Sequence, residues 1–169
     1  MASYMYTSSV PVFNQLLNGL SAILTKAEVL AVEKKFDPKV LLDARLFPDM
    51  FPLSRQVQIA TDFAMSVSAR LTGVEVPEYD ANEQNFTELQ ARISKALAFI
   101  DSLTPAQFEG SETREIVLRP GTPKEKILLG HTYLSNYGLP QFFFHVTTAY
   151  GILRHNGLGV GKGDFMGSY

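Results

Sequence analysis

Three histidines, at positions 131, 145 and 155, are the only side chains here whose unperturbed pKa lies near neutrality, and the chain has no cysteine. The missing thiol excludes a catalytic cysteine, thiolate metal ligands and any disulfide framework. Proton transfer is the chemistry that stays open, and His145 is the best placed to perform it. Phe142, Val146, Ala149 and Leu153 recur at steps of four, three and four, so they share one helical face. His145 adjoins that face. Asp62 and Gln58, on another helix, are its candidate neighbours across a bundle seam. A hydrogen bond from Asp62 would orient the ring and raise its pKa, as in a general acid–base pair. The plainer alternative is a buried His145 that serves packing, with Asp62 bonded to Arg55 or Ser66.

The histidines do not converge by spacing alone. His145 and His155 lie on one helix, about 80° apart in rotation and about 15 Å apart along the axis, too far to share an ion. His131 follows a short β-prone run and could approach either, which leaves a site of His145, Asp62 and His131 as a third reading. In the tail, Gly157, Gly159, Gly161 and Gly163 surround Lys162 and superficially suggest a phosphate loop. A strand before it, a helix after it and a hydroxyl residue after the lysine are all missing from the pattern. Residues 157–169 are expected to be loop.

The elements that must position these residues are mainly helices. The first starts at Ser8 or Ser9 with Pro11 in its first turn, and carries an apolar stripe from Phe13 to Ala31. Gly19 interrupts the stripe, a sign of close packing. Asp37-Pro38 opens a short helix through Leu42. The connection Leu46–Leu53 is too apolar for an ordinary exposed loop, and Phe47, Met50 and Phe51 are expected to plug one end of the core, or else to wall a pocket. A second long helix runs from Leu53 or Ser54 to Leu71 and stops at Gly73; its Leu53, Val57, Ala60, Ala64, Val67 and Leu71 form a bundle seam. A polar linker, 74–84, leads to Asn85-x-x-Glu88, a capping box for the third helix. Short β-prone runs, Arg114–Arg119 and Lys126–Leu129, flank Pro120-Gly121-Thr122-Pro123 and predict a hairpin. The last helix, Leu139–Asn156, has Pro140 in its first turn and Asn156-Gly157 as its stop. Phe144 falls on a different face from Phe142, so one of the three consecutive phenylalanines meets another element or another subunit.

This pattern predicts an all-α fold, an antiparallel four-helix bundle with a small β-hairpin before the last helix, and one domain over 1–169. Hydrophobic residues make up 46% of the chain, enough for a full core, and the formal charge of −2 argues against a nucleic-acid partner. No secretory leader or membrane-length apolar run is seen, and the missing cysteine fits a reducing compartment, so a cytoplasmic location is expected.

Three stretches, MYTSSVPVF, ARLFPDMFPLSRQVQIATDF and FFFHVTTAYGILRHNGLGVGKGDFMG, together resemble a domain-of-unknown-function branch of the DinB/YfiT-like superfamily of metal-dependent bundles. The resemblance covers essentially the whole chain. It implies an up-down-down-up bundle, often a homodimer. In metal-binding members, one histidine on the second helix and an H-x3-H pair on the last hold a divalent ion, and some act as thiol-dependent transferases or hydrolases. His145 matches the first histidine of that pair, Ala149 stands at the second, and Gln58 corresponds to the one on the second helix. One ligand of three remains, so no metal or other cofactor is expected. The resemblance then implies an inherited cavity lined by Gln58, Asp62, His145 and Tyr133 or Tyr150. It would bind a small, largely apolar molecule, with His145 as acid or base. The rival expectation is a non-catalytic homodimeric interaction protein whose former site is filled by side chains.

Overall fold

The computed structural model describes residues 3–169. Among them, four long helices form the bundle: α2 (Val10–Lys34), α4 (Leu53–Thr72), α5 (Phe86–Asp101) and α7 (Leu139–His155). Around the bundle α5 lies between α2 and α4, and α7 closes the ring between α4 and α2. Short helices α1 (Tyr4–Thr7), α3 (Lys39–Leu42), α6 (Gly130–Tyr133) and α8 (Lys162–Met166) decorate it. Strands β1 (Glu115–Leu118) and β2 (Lys126–Leu129) pair antiparallel, with Glu115 opposite Leu129 and Leu118 opposite Lys126. No helix among the described residues is long and apolar enough to cross a membrane.

The stripes read from periodicity are the core. Phe13, Leu17, Leu20 and Leu24 of α2 meet Leu53, Val57, Ala64 and Leu71 of α4, Leu89 and Ile93 of α5, and Phe142 and Leu153 of α7, all buried. Gly73 ends α4 with φ +76°, a left-handed cap that glycine adopts without a Cβ penalty. Asn85 caps α5 by accepting from the Glu88 amide at 2.8 Å; the return bond from Glu88 lands on the amide of Gln84, one residue earlier than a capping box places it.

Two local expectations are corrected and a third is extended. Phe47 and Phe51 do not plug the core: both are more than half exposed. The connection is instead pinned by its backbone, with the Phe51 carbonyl accepting from Gln56 Nε2 at 3.0 Å and Arg45 donating to the Met50 carbonyl at 3.2 Å. The glycine-rich tail is not all loop, because residues 162–166 form α8 against α2. Lys26 pairs with Asp164 at 2.5 Å, and Gln15 donates to the Met166 carbonyl at 2.8 Å. Gly19 permits this approach, since a Cβ there would lie 3.0 Å from the Phe165 carbonyl oxygen. Finally, Pro140 lies in the first turn of α7 as expected, but that turn is not a free helix start. Helical backbone starts at Gly130 and passes through a π-turn at Leu134–Gly138 directly into α7. Proline supplies no N–H to the preceding turn and crowds it, and a widened turn just ahead of Pro140 accommodates both effects.

At Gly130 the backbone of α6 meets the Ser111 carbonyl so closely that a Cβ would stand 1.8 Å from its oxygen, whereas Gly159 has open space around it. Gly130→Ala is therefore expected to lower stability in urea unfolding by about 3 kcal/mol, the upper part of the overpacking range, and Gly159→Ala to leave it nearly unchanged.

Candidate functional site

α5 turns Arg92 inward at the position where a surface helix would show a solvated charge; its side chain is only 2% exposed. Burial works against the cation, but Glu83 and Asp62 outweigh it and hold the guanidinium charged. Nε donates to Thr61 Oγ1 at 2.8 Å, Nη1 to Glu83 Oε1 at 2.8 Å and to the Asp80 carbonyl at 3.0 Å, and Nη2 pairs with Asp62. The second Glu83 oxygen accepts from Gln58 Nε2 at 2.8 Å, and Gln58 Oε1 accepts from Arg55 at 3.1 Å. Every buried polar group in this network has a partner, the condition under which buried charge is tolerated. Burial alone would raise the Glu83 carboxyl; the bonds and charge of Arg92, a backbone bond and Gln58 outweigh that and hold it below its ordinary 4.5.

His145 belongs to a separate cluster. It is 6% exposed, stacks on Phe63 at 14° between ring planes and meets Phe144 edge-on. Its Nδ1 lies 2.7 Å from Gln56 Oε1. Gln56 spends its amide N–H on the Phe51 carbonyl, so its oxygen must face the ring and Nδ1 must be the nitrogen that carries the proton. Nε2 then holds the lone pair, with no hydrogen-bond partner among the described residues. Burial first, and then the charge of Arg55, push the imidazole pKa below 6.5. The ring is neutral at pH 7.

The other expected site residues do not gather here. The Asp62–His145 hydrogen bond does not form, because Asp62 pairs with Arg92 and His145 with Gln56. Gln58 is committed to Glu83 and Arg55. Tyr133 is fully buried and stacks on Tyr137; burial raises its phenol pKa, although the hydroxyl accepts from Arg70 at 3.1 Å. Tyr150 packs edge-on against Phe165 of α8. His131 is exposed, bonded through Nδ1 to the Glu112 carbonyl. Five surface cavities, of about 230 to 910 Å³, include none lined by His145. Arg92, Glu83 and Gln56 were missed from sequence. The one available signal was the place of Arg92, three residues after Leu89 and one before Ile93 on a core-facing helix.

Residues 5–166 match the family described as "Domain of unknown function (DUF1993)". The crystal structure of a DinB family member protein from Shewanella denitrificans superposes with a TM-score of 0.91 at 42% identity, covering 97% of this chain and 92% of that one. The chain is a DinB-family protein of the DUF1993 family. Comparison with curated proteins finds no match. The resemblance to metal-binding relatives puts their ligands at Gln58, His145 and Ala149, and the donors present do not fit an ion cage. Ala149 is a buried methyl without a donor atom, and the Gln58 amide is engaged on both sides. Among the described residues, no three His, Asp or Glu side chains come together as metal ligands.

Removing one member of a buried pair leaves the other uncompensated. Arg92→Met is expected to lower the unfolding free energy in urea by about 3–5 kcal/mol. Because the folded pKa of Glu83 lies below 4.5, its contribution is complete above that pH and is lost as pH falls through the folded value. Thermal melts of the Glu83→Gln variant should accordingly lose less stability than the wild type between pH 5 and pH 3.

Proposed function

We propose that this DinB-family protein works by binding, without the divalent ion of its metal-dependent relatives, and that His145 is a fixed, neutral hydrogen-bond acceptor in place of an acid–base partner of Asp62. The observation that carries this reading is the Gln56–His145 bond. It spends the Nδ1 proton inside the protein, fixes the tautomer and leaves Nε2 as a lone pair. A neutral imidazole with one nitrogen anchored can accept a hydrogen bond from a ligand N–H or O–H. The same anchoring could orient a metal ligand, but Ala149 and the committed Gln58 supply nothing to complete a cage.

The homodimer implied by the family resemblance belongs to the same proposal. Phe47, Phe51 and Phe144 are exposed, and the connection that carries the first two lies against α7, where Leu46 reaches Gly151. The occupant of this surface is a second copy, for which a formal charge of −2 creates little repulsion. Sedimentation equilibrium is expected to give a dimer that Phe144→Ser weakens; a monomer at high micromolar concentration would remove this part.

Zinc titration by calorimetry of untagged protein tests the central reading. The wild type is expected to show no stoichiometric binding in the micromolar range, and the double variant Gln58→His plus Ala149→His to gain at least ~100-fold in affinity by restoring two imidazoles. Tight one-to-one binding by the wild type, lost in His145→Ala, would refute it.

A further inference from the structure

We propose that the cleft between the β-hairpin, α4 and the π-turn binds a small amphipathic anion, with a carboxylate or phosphate head on an apolar body. Two cavities of about 260 and 230 Å³ adjoin there and share Leu118, Arg119 and Tyr137 as common walls. Each is smaller than the ~300–1,000 Å³ pockets that enclose drug-sized ligands, so the occupant is small. Its body would rest on Leu118, Leu128 and the rings of Phe63 and Tyr137, which meet edge-on.

The charge around these walls is predominantly positive. Arg70, Arg119, Lys124 and Lys126 line the two cavities, and none of them is in an ion pair among the described residues. Asp62 is the carboxylate that reaches the cleft, and Arg92 already neutralises it. In a chain of net charge −2, this local excess of cations is a departure from the average surface. Converging cations over an apolar floor attract an anion most strongly when its apolar part displaces water from the same site.

Arg119 adds an independent observation. Its φ is +53°, in the left-handed region that glycine or asparagine occupies at low cost in a hairpin turn. A residue with a Cβ persists there at a cost in backbone strain, and such outliers concentrate at ligand sites. Tyr137 lies within the π-turn, another feature frequent at functional sites. Arg119 and Tyr137 are two of the three residues common to both cavities.

The test uses octanoate, which has both parts of the ligand, and inorganic phosphate, which has charge alone, each titrated into the full chain and followed by NMR at the Tyr137 ring and Leu118 methyls. Octanoate is expected to shift both saturably, one per chain, and more tightly than phosphate. Arg119→Gly removes the cation while relieving the strained backbone, so it should retain or raise Tm while weakening octanoate at least tenfold; Lys126→Ser should weaken it further with the helical circular dichroism intact. Absence of saturable shifts, affinity unchanged in Arg119→Gly, or phosphate binding as tightly as octanoate would each overturn the assignment.

Discussion

The guanidinium of Arg92 is the constraint on which this end of the bundle depends. A cation removed from water is tolerated only where its charge and its N–H groups are all answered. Thr61, Asp62, Asp80 and Glu83 answer them. The consequence is architectural, because Asp80 and Glu83 lie in the segment between α4 and α5 that has no regular structure of its own. Arg92 converts that segment from a tether into a strap laid over α4 and α5, and Glu83 passes the constraint on to Gln58.

Gln58 is thus absorbed into the scaffold. Gln58 stands between an anion and a cation, Glu83 and Arg55. His145 is held by a different neighbour, Gln56, two residues earlier on the same helix. Two adjacent hydrogen-bond systems, one charged and one neutral, thus share the first turns of α4. The positive end of the first also reaches the second, since Arg55 bonds to Gln58 and opposes protonation of His145.

Much of the fold was legible in the sequence, and the reason is periodicity. The seam from Leu53 to Leu71 and the stripe from Phe13 to Ala31 are long enough for repeated three- and four-residue steps to identify buried faces. The hairpin was legible from two β-prone runs about a Pro-Gly turn. What the pattern could not supply was pairing. Asp62 and His145 were each placed on the correct helix, but a face does not name its partner, and Arg92 from a third helix reached Asp62. A lone arginine on a helix reads as a solvated charge unless its burial is known. The exposed Phe47 and Phe51 were misread because hydrophobicity alone reports a tendency to be covered, without saying that the cover lies within the same chain. The short helix α8 escaped notice because its stability comes from contact with Gly19, Gln15 and Lys26, 138 to 151 residues away, and not from the helix propensity of a glycine-rich run.

The role proposed for His145 turns on the protonation state of one ring. Nitrogen-15 NMR of the His145 imidazole, followed from pH 8 to pH 4, measures it directly. Burial and Arg55 should place its transition below 6.5, with Nδ1 protonated and Nε2 bare throughout the neutral range. Because the unfolded chain then takes up its proton first as pH falls below 6.5, His145 favours the folded state less in that window than above it. A proton found on Nε2 at pH 7 would contradict the Gln56 anchor, and a transition above 6.5 would contradict the neutral acceptor proposed for this ring.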